Sequence, residues 1–521
     1  MTCATMPDPE RLRRALAAVA AGALIALSVP PFGWWILGPL GTAGFAALIW
    51  DRPWRSRAAT GFGVGLGQFG IGIFFITEFH AIGYLALLLL GAAYQLFAAA
   101  ITPPNRLRLV GLPAALALAS RGREIFPFGG FPLGDASLGQ AASPLAPIAR
   151  LGGTILLVAV IGLLGTSLAL LVRSLRERSP RPPLATLAGV AVAVALVVAL
   201  VIAGRVGPGG TTRGADPPFR IAAVQGGGVR GLRAVNSNAE AVFQRHLAAA
   251  RNLVARPVDV MLWPEDVLDV PVPVTQTPEA AQVAQLARSV PATVIVGVVE
   301  DSGPDHFRNA AVVWGPSGQI IARYDKVHRV PFGEYIPGRF LIRHVANLSV
   351  VPRDAIPGHG PGLLRTPVGP LGVMISYEVF FPARARAAVR AGAQVLLVPT
   401  NASSYRTGQV PAQEVAAARL RAWETGRAVV QAAPTGYSAV IDARGHLLAR
   451  TRLGGPQVLQ AVVHPRIGQT IFVRWGDRWL IVIATVGLLV AWRRRLLRLV
   501  GRSRAPAGGV PLDQAVNGRT A

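Results

Sequence analysis

A chain of 521 residues that is 52% hydrophobic and 15% charged is too apolar for an ordinary soluble multidomain enzyme, and long enough for a membrane part plus a globular part. Its net charge of +26 could suggest nucleic acid, but the arginines sit between apolar segments and are not interleaved with aromatics on a basic patch, so no nucleic-acid partner is expected. The one cysteine, Cys3, excludes an internal disulfide, a thiolate-rich zinc site and a catalytic thiol in the folded body.

Residues 1–14 read as a basic cytoplasmic leader carrying Arg11, Arg13 and Arg14. The layout resembles a signal peptide without a small-residue cleavage pattern, and more apolar segments follow at once, so the run to Val29 reads as a first transmembrane helix. Apolar stretches at 36–50, 59–77, 82–101, 107–120, 148–172 and 184–203 bring the transmembrane domain, residues 15–206, to about seven helices. The first, second and fifth fall short of the ~20 residues a crossing needs.

The arginines test this count. With the amino terminus inside, the cytoplasmic loops carry Arg52, Arg55 and Arg57, then Arg106 and Arg108, then Arg173, Arg176, Arg178 and Arg181; the outer loops carry few, Arg121 and Arg123 apart. Seven crossings deliver the chain outside, so the Gly/Pro-rich stretch 207–218 is expected to link into an extracytoplasmic domain, residues 219–466. Residues 477–495, closed by Arg493, Arg494 and Arg495, predict a returning C-terminal transmembrane helix, and 496–521 a disordered cytoplasmic tail.

Across 219–466 the apolar runs shorten: IAAV, VDVMLW, TVIVGVV, AAVVW, QIIARY, LGVMIS, QVLLVP, AVVQA and VLQAVV predict strands. Helical segments at 236–255, 278–289, 382–391 and 411–425 alternate with them in part, which makes this an α/β domain.

The stretch LGVMISYEVFFP, residues 371–382, climbs a strand to Ser376, turns at Tyr377 and Glu378, and enters a helix after Pro382. A side chain at such an elbow projects above the sheet with little choice of direction, which suits a nucleophile. Glu265 follows VDVMLW in LWPED, and Lys326 and Glu334 lie in YDKVHRVPFGEYIP. A carboxylate beside a nucleophile can act as base and a lysine can stabilise an oxyanion, more strongly in a water-poor pocket than at the surface. Structural readings stand beside these: Ser376 as a small residue at a strand end, Glu265 as a helix cap, Lys326 paired with Asp325 in solvent, and Glu334 as the holder of a loop.

The order and spacing of WPE, YxKxHxVPFGEYxP and GVxIxYExxFP, with seven apolar segments before the α/β domain and one after it, resembles the apolipoprotein N-acyltransferase family, a membrane-embedded branch of the nitrilase superfamily. PFGGFPLG and PLAPIARLGG resemble its membrane-domain motifs, AAVQGG and ARLRAWETGRAVVQAAPTGYSAVID its nitrilase-domain signatures, and the likeness spans about residues 10–495. The resemblance implies a nitrilase-like αββα sandwich inserted between transmembrane helices, about seven before and one after, on the extracytoplasmic face of a bacterial inner membrane. It implies a Glu-Lys-Cys triad with no cofactor and no metal: Glu265 as general base, Lys326 as oxyanion stabiliser, and Glu334 and Glu378 as supporting carboxylates, with Tyr377 beside them at the elbow. The substrates would be a membrane phospholipid, whose acyl chain is held as a thioester, and the N-terminal amine of a diacylglyceryl-cysteine lipoprotein.

Ser376 stands where that family has its cysteine. A free thiol ionises near pH ~8.5 and a hydroxyl several units higher, so serine needs a strong base acting in concert. Its product would be an oxygen ester, which amines attack more slowly than a thioester. His328 belongs to the shared stretch and is not expected to be recruited as that base, and Cys3 lies on the opposite side of the membrane. GGGVRGLRAV lacks an aromatic the family carries, and TNASSYRTG replaces an Asn-Asp-aromatic run; both loops would shape the substrate sites.

Three readings follow. The first is an acyltransferase impaired or inactive through Ser376, whether that serine is natural or a trapping substitution. The second is a catalytically inactive homologue acting as membrane scaffold or activator for a polyprenyl-phosphate mannose synthase, an arrangement that relatives in some high-GC actinobacteria imply. The third is a nitrilase-type amidase or transferase using serine on another lipid.

Overall fold

The computed structural model describes residues 8–103, 108–176, 184–228, 238–252, 257–344, 348, 351–403, 405 and 407–503. Cys3, Arg106, Arg178, Arg181, most of the GGGVRGLRAV loop and the tail from residue 504 lie outside them.

The apolar stretches before the α/β domain form the helices Pro9–Ser28, Leu37–Leu48, Trp54–Gly72, Ala81–Ile101, Arg108–Ile125, Ala149–Arg176 and Leu184–Val206. The first begins inside the expected leader, because the Asp8 carboxylate accepts from Glu10 N and Pro9 suits a first turn. Small residues let the first and third helices touch backbone to backbone: a Cβ on Gly22 would lie 1.9 Å from Val64 O, and one on Gly67 2.0 Å from Val19 O. Among the described residues three helices, Ala81–Ile101, Ala146–Arg176 and Leu184–Val206, are long and apolar enough to cross a bilayer. The closing helix, Arg478–Ser503, runs past the boundary expected at 495, since arginine is a good helix former and does not itself end a helix.

From residue 219 the chain forms two six-strand paths packed face to face. The first runs Gln457–Val463, Phe219–Gln225, Val260–Leu262, Thr293–Asp301, His306–Trp314 and Ile320–Asp325. Two short strands, Leu268–Val270 and Asp354–Ala355, pair with its fourth and fifth members. The second runs Leu447–Arg450, Ala439–Ile441, Val429–Ala432, Val395–Pro399, Gly369–Val373 and Leu363–Thr366.

The helices Ala239–Arg251 and Pro278–Ser289 cover the first sheet over Trp263 and Trp314. Between the sheets, Ile221, Leu262, Ile295 and Val313 interlock with Leu371, Val373, Leu397 and Val430. On the other side Pro382–Arg390 and Gln409–Thr425 cover the second sheet, completing the αββα order. Their core runs on into the helical part, where Ile73, Leu133 and Ile148 join Val379, Ala417 and Leu420. Polar side chains fix that junction: Gln409 Nε2 donates to Ile71 O at 2.7 Å, and Gln413 Nε2 to Gly72 O at 2.9 Å. Their Oε1 atoms accept from Phe75 N at 3.1 Å and Gly134 N at 3.0 Å.

Glycine is required where the strand Thr293–Asp301 meets the loop that carries Glu265. Gly297 N donates to Pro264 O at 3.1 Å, and a Cβ at Gly297 would meet that oxygen at 2.2 Å and Glu265 Cα at 2.4 Å. Gly297→Ala should therefore destabilise the protein by ~1–3 kcal/mol through overpacking, read as a lowered Tm of the purified protein in detergent. An unchanged Tm would show that the loop does not rest on this strand.

Candidate active site

Four strands carry polar side chains just past their carboxyl ends, where α/β sheets place ligands. Glu265 follows Val260–Leu262, Lys326 follows Ile320–Asp325, Ser376 follows Gly369–Val373, and Thr400 follows Val395–Pro399.

Lys326 is the centre. Its Nζ donates to Glu265 Oε1 and to Glu334 Oε1, each at 2.8 Å, and only 2% of the side chain is exposed. The solvent pairing with Asp325 is thus not formed; Asp325 instead accepts from Arg323 at 2.7 Å. Among the described residues two of the three ammonium protons have acceptors, which leaves the third without one.

Asn309 Nδ2 closes the square, donating to Glu265 Oε1 and Glu334 Oε1 at 2.8 Å each. Glu334 Oε2 accepts from Val330 N at 2.7 Å, which ties the loop after Lys326 into a turn. Glu265 Oε2 has no hydrogen-bond partner among the described residues. Burial pushes the Glu265 carboxyl above its usual range, with Lys326 pulling against that rise. Burial would lower the lysine, but Glu265 and Glu334 outweigh it and hold the ammonium above its ordinary value.

The elbow has the backbone that the sequence pattern suggests. Ser376 sits at φ +49°, a left-handed conformation that costs a residue with a Cβ ~1–3 kcal/mol and is found preferentially at functional sites. Glu378 folds back beneath it: Oε2 accepts from Ile375 N at 2.9 Å, while Oε1 accepts from Val327 N at 3.0 Å and His328 N at 2.9 Å. Tyr324 OH lies 2.9 Å from the same Oε1, and Arg384 Nη2 donates to that hydroxyl at 2.6 Å. One buried carboxylate thus bolts the elbow to the lysine loop.

Tyr377 and His328 point elsewhere. Tyr377 OH donates to Gly130 O at 2.9 Å, and His328 Nε2 lies 2.9 Å from Gly129 O with its ring stacked 3.7 Å from Phe381. Both secure PFGGFPLG of the helical part against the elbow. Burial lowers the His328 pKa, with the bond to Gly129 opposing.

Residues that sequence reasoning passed over complete the site. Asn309 was hidden inside a strand, and Thr400 at the head of a loop noted only for its departures. That loop still brings an aromatic: Tyr405 packs edge-on against Phe75 at 5.3 Å and Phe79 at 4.9 Å, close enough to feel Glu414, Glu265 and Lys326. Among the described residues no cluster of His, Cys, Asp and Glu could hold a metal ion.

Comparison with known proteins agrees with this architecture. Residues 21–167 match the apolipoprotein N-acyltransferase N-terminal domain, and residues 220–472 match the carbon-nitrogen hydrolase family. The apolipoprotein N-acyltransferase of Mycolicibacterium smegmatis is 33% identical over 511 residues, covering 91% of this chain and 84% of that one. The Geobacter metallireducens apolipoprotein N-acyltransferase is 30% identical over 523 residues, covering 94% and 98%. Among solved structures, an amidase of the nitrilase superfamily from Nesterenkonia aligns at 22% identity and a TM-score of 0.37, over 49% of this chain and 93% of its own. With a nitrilase-like C-terminal part behind apolar N-terminal helices, the chain belongs to the apolipoprotein N-acyltransferase family.

Proposed function

We propose that this protein moves an acyl chain from a membrane phospholipid to the N-terminal amine of a diacylglyceryl-cysteine lipoprotein, with Ser376 as nucleophile in the place of the family's cysteine. The observation that carries this reading is Lys326, buried between Glu265 and Glu334 beside a strained elbow, in a chain of this family. The Ser376 hydroxyl attacks the acyl carbonyl, and the free Lys326 proton meets the oxyanion. The lysophospholipid leaves, and an oxygen ester remains on Ser376.

The lipoprotein amine then attacks this ester. Glu265, whose Oε2 has no hydrogen-bond partner among the described residues and whose pKa is raised, takes the amine's proton as general base; the carbon–oxygen bond to Ser376 then breaks as the amide forms, and that proton returns to Ser376 Oγ as its hydroxyl is restored. Glu334 and Asn309 hold the lysine, and Glu378 and Tyr377 hold the elbow. Because amines attack an oxygen ester more slowly than a thioester, the second half-reaction is the impaired one.

The reading extends to the membrane. Among the described residues, seven α-helices before the sandwich and the long helix Arg478–Ser503 after it, with the arginine bias of their loops, support a multi-pass protein of the bacterial inner membrane with the sandwich on the extracytoplasmic face. Both substrates then keep their tails in the bilayer while the reacting groups reach the elbow. Burying Lys326 between two carboxyl groups carries a desolvation cost that packing alone does not require, which favours an enzyme over a mannose synthase scaffold.

Incubation with phospholipid and no amine acceptor should leave an acyl ester on the Ser376 peptide, detected by mass spectrometry and absent in Ser376→Ala. No adduct at Ser376 would sink the proposal. Glu265→Gln preserves the shape and the acceptor for Lys326 but cannot take a proton, so transfer to the amine should fall by ~100-fold or more; an unchanged rate would remove Glu265 from its role.

A further inference from the structure

The Ser376 hydroxyl meets neither Glu265 nor Lys326 directly among the described hydrogen bonds. Its partner is Thr400, whose Oγ1 lies 3.2 Å from Ser376 Oγ and 2.6 Å from Glu414 Oε1. Glu414 stands in the second turn of the helix Gln409–Thr425, on the stretch that Gln409 and Gln413 pin to the helical part. Its side chain is buried, and Glu414 Oε2 is fully enclosed without a hydrogen-bond partner among the described residues. An enclosed, half-satisfied carboxylate two hydrogen bonds from a hydroxyl nucleophile is costly as mere packing.

A hydroxyl carries one proton. When Glu414 is ionised, Thr400 must donate to it and can then only accept from Ser376, which orders Ser376, Thr400 and Glu414 into a single line of proton transfer. When Glu414 is protonated the line reverses or breaks, and no acceptor remains at its end.

We propose that Ser376 is activated through this line, its proton passing to the Thr400 hydroxyl as the Thr400 proton passes to the Glu414 carboxylate. The proposal rests on the acyltransferase reading and supplies the concerted base that serine needs and cysteine does not. In the acylation step the Ser376 Oγ–carbon bond forms while the carbonyl π pair moves to the oxyanion against Lys326. When that intermediate collapses, the carbon–oxygen bond to the glycerol breaks. The departing oxygen recovers the proton from Glu414 through Thr400, so protons and electrons balance within the site. Thr400 touches the reacting oxygen; Glu414 acts through it and is a positioning residue.

The charge state of Glu414 gates the relay. Burial pushes its pKa up to about 8, with the Thr400 hydrogen bond opposing, Glu265 adding and Lys326 opposing. Tyr405 is the other titratable group that faces it, and burial raises that phenol well above its ordinary range. The carboxylate is the form that accepts a proton, and it grows as pH rises through about 8, so the reactivity of Ser376 should rise there too.

A long-chain alkyl fluorophosphonate tests this on the purified full chain in detergent, because it labels an activated serine whatever the natural acyl donor. Ser376 labelling should accelerate through pH about 8. Thr400→Val and Glu414→Gln should each slow it ~100-fold and abolish the acceleration, while Thr400→Ser, which restores a hydroxyl, should recover both rate and pH dependence. The proposal is overturned if Ser376 is not labelled, if the two variants label like the unmodified chain, or if Thr400→Ser is as slow as Thr400→Val. Labelling that follows the relay without acyl uptake from phospholipid would uphold the relay and remove the acyltransferase reading alone.

Discussion

The site depends on one buried ammonium. Lys326 sits 2.8 Å from each of two carboxylates, with nearly all of its side chain withdrawn from solvent. Isolated, any one of these charges would be prohibitive to bury, and removing one partner of such a set typically costs ~3–5 kcal/mol. Together with Asn309 they form a closed polar square whose geometry leaves little freedom. Its cost is offset by the apolar core around it, the tight inter-sheet packing of Ile295, Val313, Leu371 and Leu397.

From that square the arrangement extends through single side chains. Glu378 grips the backbone on both sides of the cleft, at Ile375 and at Val327 and His328, so the segments that carry Ser376 and Lys326 cannot drift apart independently. Tyr377 and His328 carry the same grip to Gly129 and Gly130 of the helical part. Helix, loop and sandwich therefore share one core, and the position of the elbow is set by elements far apart in sequence. Such over-determination is what lets a residue with a Cβ persist at a strained φ.

Much of this was legible in the sequence. Each apolar stretch before residue 210 became a helix, and Pro278–Ser289 and Pro382–Arg390 fell where proline starts and amphipathic spacing place them. The strands Ala439–Ile441 and Leu447–Arg450 escaped because three or four residues are too few to show a period of their own. Glu265, Lys326 and Ser376 were singled out from strand ends and motif spacing, and each stands just past a strand end. Asn309, Thr400 and Glu414 were not, because what they touch depends on which strands and helices the fold brings together. His328 lies close to Lys326 in sequence but was not expected to serve as base, and its ring is spent on Gly129 and Phe381.

On the proposed reading, an acyl-transfer site surrounds the Ser376 hydroxyl. The most direct measurement is single-turnover acyl transfer from phospholipid to a diacylglyceryl-cysteine peptide in vesicles, run with this chain beside Ser376→Cys. Both should become acylated, and the cysteine variant should pass its acyl chain to the amine faster, since a thioester yields more readily than an ester. Acylation of neither would contradict the account, because it would mean that Glu265, Lys326 and the elbow do not form an acyl-transfer site whichever atom stands at residue 376.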